Sequence, residues 1–254
     1  MCQMNKVFVL LALALLSSRV MAEDVVVAAA SDLTFVLPEI NKAFEARHPG
    51  VTVKVSFGSS GNFHAQIQNG APYQVFMSAD EKYPRDLIAQ GAAVADSYFV
   101  YGTGRIVLWT MKPEVNLSQG LSGLTDARVM KIAIANPAHA PYGRAAELSM
   151  KKQGVWNALQ TKLVMGENIL QTAQFVQTGN VDVGVVAMSL VLSPKMRGVG
   201  RWAEVSAVLY PPLVQAAVVT KAGTNSATAR EFVKFLDQPE ARDLLQKYGF
   251  RDTK

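Results

Sequence analysis

Short apolar runs alternate along this chain with longer segments of helical periodicity. Residues 24–30, 51–57 and 75–77 are predicted strands, and a predicted amphipathic helix follows each of them, over 33–47, 63–69 and 84–90. The resulting βαβαβα order is typical of a parallel sheet covered by helices, because a parallel pair of strands needs a crossover connection. This alternation predicts an α/β fold.

The same alternation begins again after Tyr101-Gly102-Thr103-Gly104. The further predicted elements are strands at 106–110, 131–135, 181–186 and 214–219, and helices at 144–153, 170–177, 227–236 and 239–248. We therefore expect two α/β lobes, each a mixed, mostly parallel sheet flanked by helices, with a ligand cleft between them.

Two segments, near 101–106 and 210–216, are predicted to carry the chain between the lobes. Lobe I is assigned to residues 23–104 plus 216–254, and lobe II to residues 105–215. Two crossings of this kind suggest a hinge, because a few residues at the ends of elements suffice for lobes to close around a ligand.

The N-terminus has the pattern of a signal peptide over residues 1–22. Lys6 supplies the positive charge, Val7 to Leu16 form a short apolar run, and Val20-Met21-Ala22 is a small-residue cleavage site. Cleavage would leave a periplasmic protein beginning at Glu23 that contains no cysteine, so its stability must rest on a packed core. The formal charge is +5, but the basic residues are scattered, so nucleic-acid binding is not expected.

Four junctions along the chain carry helix-start signals, where a strand is expected to lead into a helix. In an open α/β sheet, ligands bind beyond the carboxyl ends of the strands, and a helix N-terminus there offers unpaired N–H groups to an anion. Any one of these junctions taken alone is better explained by ordinary helix capping. The coincidence of four favours an anion site ringed by neutral donors. The four junctions are Ala30-Ser31-Asp32, Gly58-Ser59-Ser60-Gly61, Ala140-Pro141-Tyr142-Gly143 and Gly166-Glu167-Asn168-Ile169.

Several short motifs, in the same order along the chain, resemble the periplasmic molybdate-binding proteins. They are Ala28-Ala29-Ala30-Ser31, Phe57-Gly58-Ser59-Ser60, Gln66-Ile67, Gly70-Ala71-Pro72, Ser78-Ala79-Asp80, Asn136-Pro137, Pro141-Tyr142-Gly143 and Lys247-Tyr248-Gly249-Phe250. The resemblance implies a type II periplasmic-binding-protein fold. It also implies a monomer that carries molybdate or tungstate, without a cofactor, to the membrane permease and ATPase of an ABC importer.

The resemblance assigns ligand contacts to four positions. Ser31 and Ser60 match the two serine ligands of the family in lobe I, and Tyr142 and Ile169 fall at its helix starts in lobe II, with Ile169 offering its backbone N–H. Some members have a tyrosine where this chain has Ala187, so we expect the Tyr142 hydroxyl to replace that donor.

Asp32 stands where leucine is common in the family. A carboxylate facing the cleft would repel molybdate, which only accepts hydrogen bonds, and would accept one from hydrogen phosphate. We expect Asp32 to be a helix cap instead. Another oxyanion, such as phosphate or sulfate, stays open as the ligand.

Pro38 falls inside the first predicted helix, which predicts a kink or a late helix start.

An enzyme is the main competing class of function, and the sequence gives it little support. His48, His64 and His139 have no metal-binding spacing, Gly58-Ser59-Ser60-Gly61 is not a nucleophile elbow, and Gly102-Thr103-Gly104 lacks the third glycine of a dinucleotide motif. Catalysis is therefore not expected. A sensory or adhesion module on the same fold stays open as an alternative.

Overall fold

The computed structural model describes residues 23–252, so the predicted leader lies outside the described part. Within that range no helix is long and apolar enough to cross a membrane. The strands are β1 (Glu23–Ala30), β2 (Val51–Gly58), β3 (Val75–Ser78), β4 (Phe99–Gly104), β5 (Ile106–Thr110), β6 (Ile132–Ala135), β7 (Leu163–Gly166), β8 (Val183–Ala187), β9 (Arg201–Glu204) and β10 (Leu213–Val219). The helices are α1 (Leu37–Arg47), α2 (Ser60–Gln68), α3 (Lys82–Ala89), α4 (Pro141–Lys152), α5 (Trp156–Leu159), α6 (Ile169–Gln177), α7 (Met188–Val191), α8 (Ala227–Phe235) and α9 (Pro239–Lys247).

The first lobe is built on a sheet with the strand order β2-β1-β3-β10-β4. β1 is parallel to β2 and β3, whereas β10 is antiparallel to β3 and β4. One face of the sheet packs on α1, α8 and α9 through residues such as Phe44 and Phe232, and the other face packs on α2 and α3 through Phe63 and Leu87. Helices on both faces explain why β1 and β3 are almost entirely apolar and buried.

The second lobe repeats this plan with the strand order β7-β6-β8-β5-β9. β6 is parallel to β7 and β8, and β5 is antiparallel to β8 and β9. Its core surrounds Trp109, which is fully buried and donates its indole N–H to the Val199 carbonyl at 2.9 Å. The expectation of two lobes, each a mixed sheet flanked by helices, is confirmed.

In the part of the chain that the structure describes, the backbone passes between the two sheets twice. Only Arg105 separates β4 from β5, and residues 205–212 lead from β9 into β10. The predicted boundary at 104/105 lies at the first passage. The predicted boundary at 215/216 falls inside β10, in which Leu213, Val214 and Gln215 pair with β4.

Pro38 determines where the first long helix begins. A single 3₁₀ turn, Ser31–Leu33, follows β1, and α1 begins only at Leu37 with Pro38 in its first turn. Proline is tolerated there because the first N–H groups of a helix have no intrahelical partner. The predicted late start is confirmed, and the predicted continuous helix from Leu33 is wrong.

Candidate functional site

One small cavity between the lobes is lined by at least one residue from each of the four predicted helix-start junctions. The space between its lining atoms is about 190 Å³, including solvent at its mouth. The four predicted ligand residues, Ser31, Ser60, Tyr142 and Ile169, all line it. The remaining lining residues are Ala30, Asp32, Gly58, Ser59, Ala79, Ala140 and Pro141.

Strand register explains why residues far apart in sequence meet here. In lobe I, Ala30 at the end of β1 pairs with Gly58 at the end of β2. In lobe II, Ala135 at the end of β6 pairs with Gly166 at the end of β7. Parallel strands end at the same edge of a sheet, so the segments that follow them emerge side by side. The two such edges face each other across the cavity.

Three helices begin at this cavity: α2 at Ser60, α4 at Pro141 and α6 at Ile169. The first N–H groups of a helix have no intrahelical partner and carry a positive partial charge. Asn168 caps α6 by accepting hydrogen bonds from the amides of Leu170 and Gln171, at 3.0 Å each. The Ile169 amide has no hydrogen-bond partner among the described residues, so it is available to a ligand.

The two serines of lobe I are held differently. Ser60 is fully buried, and its hydroxyl oxygen accepts a hydrogen bond of 3.0 Å from the Ala79 amide, which leaves the hydroxyl hydrogen for a ligand. The Ser31 hydroxyl lies 3.2 Å from Asn168 Oδ1, to which it donates across the lobe boundary. A ligand oxygen near Ser31 would therefore compete with Asn168 for that hydrogen.

The Tyr142 hydroxyl takes part in a buried network that joins the lobes. It donates to Asp32 Oδ2 at 2.9 Å and accepts from Gln215 Nε2 at 2.9 Å. Gln215 Nε2 also donates to Asp32 Oδ2, at 2.8 Å, and Tyr101 donates to Gln215 Oε1 at 2.9 Å. Because a phenol has one hydrogen, use of that hydrogen for a ligand competes with its bond to Asp32. Gly104 makes room for the network, since a Cβ there would collide with the Tyr142 hydroxyl.

Asp32 is not the helix cap that the sequence suggested. The 3₁₀ turn Ser31–Leu33 has no side-chain cap, and the Asp32 carboxyl is turned to Tyr142 and Gln215 instead. Burial raises the pKa of this carboxyl from 3.8 to about 6, although the hydrogen bonds from Gln215 and Tyr142 oppose the rise. Local sequence favours capping, whereas the observed contacts depend on how the lobes meet.

Sequence reasoning also missed Gln215 and Tyr101. Gln215 lies inside the apolar strand β10, is fully buried, and sits next to an irregularity in the pairing with β4. A single amide within an otherwise apolar strand was the available signal, because a buried polar side chain requires partners. Ala187 is buried at the end of β8 and does not line the cavity.

Further contacts hold the lobes together around the cavity. The Gly61 amide donates to the His139 carbonyl at 2.9 Å, and the Ser59 hydroxyl lies 2.9 Å from His139 Nδ1. Asn62 donates to Glu167 at 2.7 Å. A Cβ on Gly61 would lie 2.6 Å from the His139 carbonyl oxygen, so this approach requires glycine. These contacts describe a closed arrangement of the lobes.

The cavity lining contains no lysine or arginine, and its ionisable side chains are Asp32 and Tyr142. Burial raises the pKa of Tyr142 well above its usual value of 10, so this phenol stays neutral. An anion bound here would be held by hydroxyls and backbone amides rather than by a cation. A negatively charged Asp32 would oppose such binding, which makes its protonation state important.

Two α/β lobes, joined by two crossings and closed on a shared cavity, define a ligand-binding protein with the type II periplasmic-binding-protein fold. Residues 25–251 match the bacterial extracellular solute-binding protein family. The chain belongs to this family.

Similar proteins agree with this assignment over nearly the whole chain. The molybdate-binding protein ModA of Azotobacter vinelandii is 39% identical over 97% of this chain and 97% of its own length. The molybdate-binding protein ModA of Rhodobacter capsulatus is 41% identical over 90% of this chain and 88% of its own length. The solved structure of the Azotobacter vinelandii periplasmic molybdate-binding protein superposes with a TM-score of 0.85 and 34% identity, covering 91% of this chain and 100% of that chain.

Proposed function

We propose that this protein captures molybdate or tungstate, one oxyanion per chain, and delivers it to an ABC importer. The observation that carries the proposal is the convergence of three helix N-termini and two serine hydroxyls, from both lobes, on one cavity without a lysine or arginine. The similarity to two molybdate-binding proteins over most of their length supports the choice of ligand.

The chemistry of the cavity suits a tetrahedral dianion. Such an anion only accepts hydrogen bonds at neutral pH, and the Ser60 hydroxyl and the Ile169 amide are donors without another acceptor in the described part of the chain. Ser31 lines the same cavity as a further proposed contact, and Tyr142 lines it with its one hydroxyl hydrogen on Asp32. Donors fixed at the ends of packed strands and helices select an anion by size, because they cannot move inward to reach the oxygens of a smaller anion.

The remaining features of the proposal follow from the family and the N-terminus. Residues 1–22 have the pattern of a cleaved signal peptide, which supports a periplasmic location. Its partners are then the permease and ATPase subunits of the importer, and it acts as a monomer. Binding and release of the anion need no cofactor and no catalytic step, so we propose a carrier and not an enzyme.

Thermal unfolding with a panel of oxyanions tests this function. Molybdate or tungstate at a thousandfold excess over the dissociation constant should stabilise the protein by about 4 kcal/mol. For a chain of this size that corresponds to a rise of roughly 8–16 °C in melting temperature. Sulfate and phosphate should give much smaller shifts. A large shift with phosphate and none with molybdate would contradict the assignment and favour a phosphate carrier.

A further inference from the structure

Asp32 lines the proposed oxyanion site, and one of its carboxyl oxygens has no hydrogen-bond partner in the described part of the chain. Asp32 Oδ2 accepts hydrogen bonds from both Tyr142 and Gln215, at 2.9 and 2.8 Å. Asp32 Oδ1 is buried and has no hydrogen-bond partner among the described residues. Asp32 is also the only carboxylic acid among the residues that line the cavity. Buried polar atoms in native proteins are nearly always satisfied, so an orphaned oxygen at a binding site points to the ligand as its partner.

Within residues 23–252, no cation faces this carboxyl from the elements packed around it. Tyr142 on α4 and, through Gln215, Tyr101 on β4 are the titratable groups that face it. Burial raises the pKa of both phenols, so they stay neutral. α6 and α7 contain no titratable residue, and Lys54 on β2 is paired with Asp24 at 2.5 Å. The Ser189 hydroxyl donates its hydrogen to the Asp32 backbone carbonyl and not to the carboxyl group.

A carboxylate with one free oxygen offers only a lone pair to the ligand, and molybdate likewise offers only lone pairs. Two such groups in one dry cavity repel each other, as happens when two carboxylates share a site. A proton on Asp32 Oδ1 removes the repulsion and turns the orphaned oxygen into a hydrogen-bond donor. The two donors on Oδ2 already fix the carboxyl in one orientation.

We propose that Asp32 binds the oxyanion as a neutral carboxylic acid that donates from Oδ1, so that each oxyanion is captured together with one proton. This inference rests on the proposed oxyanion-binding function. The step is an acid–base association in which the Asp32 carboxylate takes a proton from solvent as the dianion enters. No covalent bond to the anion forms.

The protonation energetics agree with this geometry. The pKa of Asp32 is already raised to about 6 by burial, before any ligand is present. A dianion beside it raises that pKa further, because it disfavours the charged carboxylate. Above about pH 6 the Asp32 carboxyl of the ligand-free protein is mostly ionised, so binding of the anion must then draw a proton from solvent. By linkage, affinity should fall as pH rises, approaching about tenfold per pH unit when one full proton is taken up.

Calorimetric titration of molybdate into the purified protein, in buffers of different ionisation enthalpy, counts this proton directly. At about pH 8 the wild-type protein should take up close to one proton per molybdate, and its dissociation constant should rise roughly tenfold per pH unit up to about pH 9. Asp32→Asn keeps a donor at this position without a titratable group. It should take up no proton, bind with little pH dependence, and bind more tightly than wild type at the upper end of the range.

Two variants serve as controls for other sources of pH dependence. Histidine is the usual side chain behind pH effects near neutrality, so His139→Gln, at the lobe boundary, should retain the wild-type proton uptake whatever its affinity. Asp96→Asn removes an exposed carboxylate that pairs with Arg230 in lobe I, and should likewise retain it. Loss of proton uptake in His139→Gln, with uptake kept in Asp32→Asn, would overturn the assignment to Asp32.

The outcomes separate this inference from the proposed function. Tight molybdate binding by wild type with no proton uptake would overturn the inference and leave the function standing. That result does not depend on whether any variant folds. No molybdate binding by wild type or by Asp32→Asn at any pH would overturn both. Uptake of one proton by wild type, abolished in a folded Asp32→Asn, is the result we expect.

Discussion

Arg144 of lobe II forms an ion pair with Asp80 of lobe I, with 2.6 Å between Arg144 Nη2 and Asp80 Oδ2. Its Nη1 donates to the Tyr83 hydroxyl, also in lobe I, at 3.0 Å. Arg144 follows Tyr142 and Gly143 at the start of α4, so the ion pair lies close to the cavity. It joins residues of different lobes and can form only when the lobes are closed.

We expect Arg144→Gln to weaken molybdate binding by shifting the protein toward an open form. Both partners are about one-third exposed, and ion pairs of this kind contribute about 0.5–1 kcal/mol, which corresponds to a roughly two- to fivefold weaker dissociation constant. Arg85→Gln is the matched control, because Arg85 pairs with Glu81 inside lobe I at 2.7 Å. Calorimetry of both variants tests the idea, and equal losses would remove any special role for Arg144 in closure.

Ser60→Ala should weaken binding much more strongly. The change removes the one buried hydroxyl hydrogen that we assign wholly to the ligand, and a hydrogen bond to a charged group contributes about 1.5–3 kcal/mol. It also leaves the buried Ala79 amide without its acceptor, so the unliganded protein should lose about 1–3 kcal/mol of stability.

The control for this change is Ser149→Ala. Ser149 is equally buried, but its hydroxyl donates to the Ala145 carbonyl within α4, away from the cavity. Its affinity for molybdate should match wild type. If Ser60→Ala were destabilised but bound molybdate with unchanged affinity, Ser60 would have a structural role and would not contact the ligand.

The stability of the unliganded closed form should respond to Asp32 in a defined pH window. The folded-state pKa of about 6 lies above the usual 3.8, so the stabilising effect of this group is present below about pH 4 and is lost as pH rises through about 6. The difference of about two pKa units corresponds to about 3 kcal/mol. Asp32→Asn should therefore melt roughly 6–12 °C higher than wild type at about pH 7.5, with the gain vanishing toward about pH 4.

Asp182→Asn is the opposite case in the same fold. Burial raises the pKa of Asp182, but hydrogen bonds from Lys112 and from the amides of Lys131 and Met130 outweigh it, and its pKa is lowered. Neutralising Asp182 should destabilise the protein at neutral pH. If Asp32→Asn were also less stable than wild type at about pH 7.5, the carboxyl would not be held in its buried, desolvated state in solution.

Tyr142→Phe distinguishes two roles for the phenol. The hydroxyl donates to Asp32 and so lowers the pKa of that carboxyl, which means that its loss should move the pH range of proton uptake upward. Calorimetry over a pH series measures that displacement. A uniform weakening of about 10- to 150-fold at every pH would instead indicate direct donation from Tyr142 to the oxyanion.

The sequence was sufficient to place three of the four junctions directly after strands. Strand periodicity located β1, β2, β6 and β5 within a residue or two, and parallel strands force the loops that follow them together. The less regular strands β7 and β9 were not predicted from the sequence. β9 is exposed along most of its length, and β7 is half-buried, so neither has the apolar pattern that marks a strand.

The environment of Asp32 could not be predicted from the sequence. Its partner Tyr142 lies in the other lobe, and Gln215 lies on a strand that returns to lobe I near the end of the chain. Such contacts depend on the angle at which the lobes meet, whereas helix capping depends only on neighbouring residues. Local rules therefore favoured the cap, and long-range packing decided otherwise.

The lining of the cavity is divided between the lobes, with Ser31 and Ser60 on one side and Tyr142 and Ile169 on the other. Neither lobe alone holds enough donors to replace the hydration shell of a dianion. When the lobes separate, the anion loses all its contacts to one lobe at the same time, and water replaces them. Release of the anion is therefore cooperative and not gradual. A transporter that separates the lobes can thus release a tightly bound anion with one rigid-body rotation. It needs to act only on the lobe boundary and does not have to break each hydrogen bond to the anion separately.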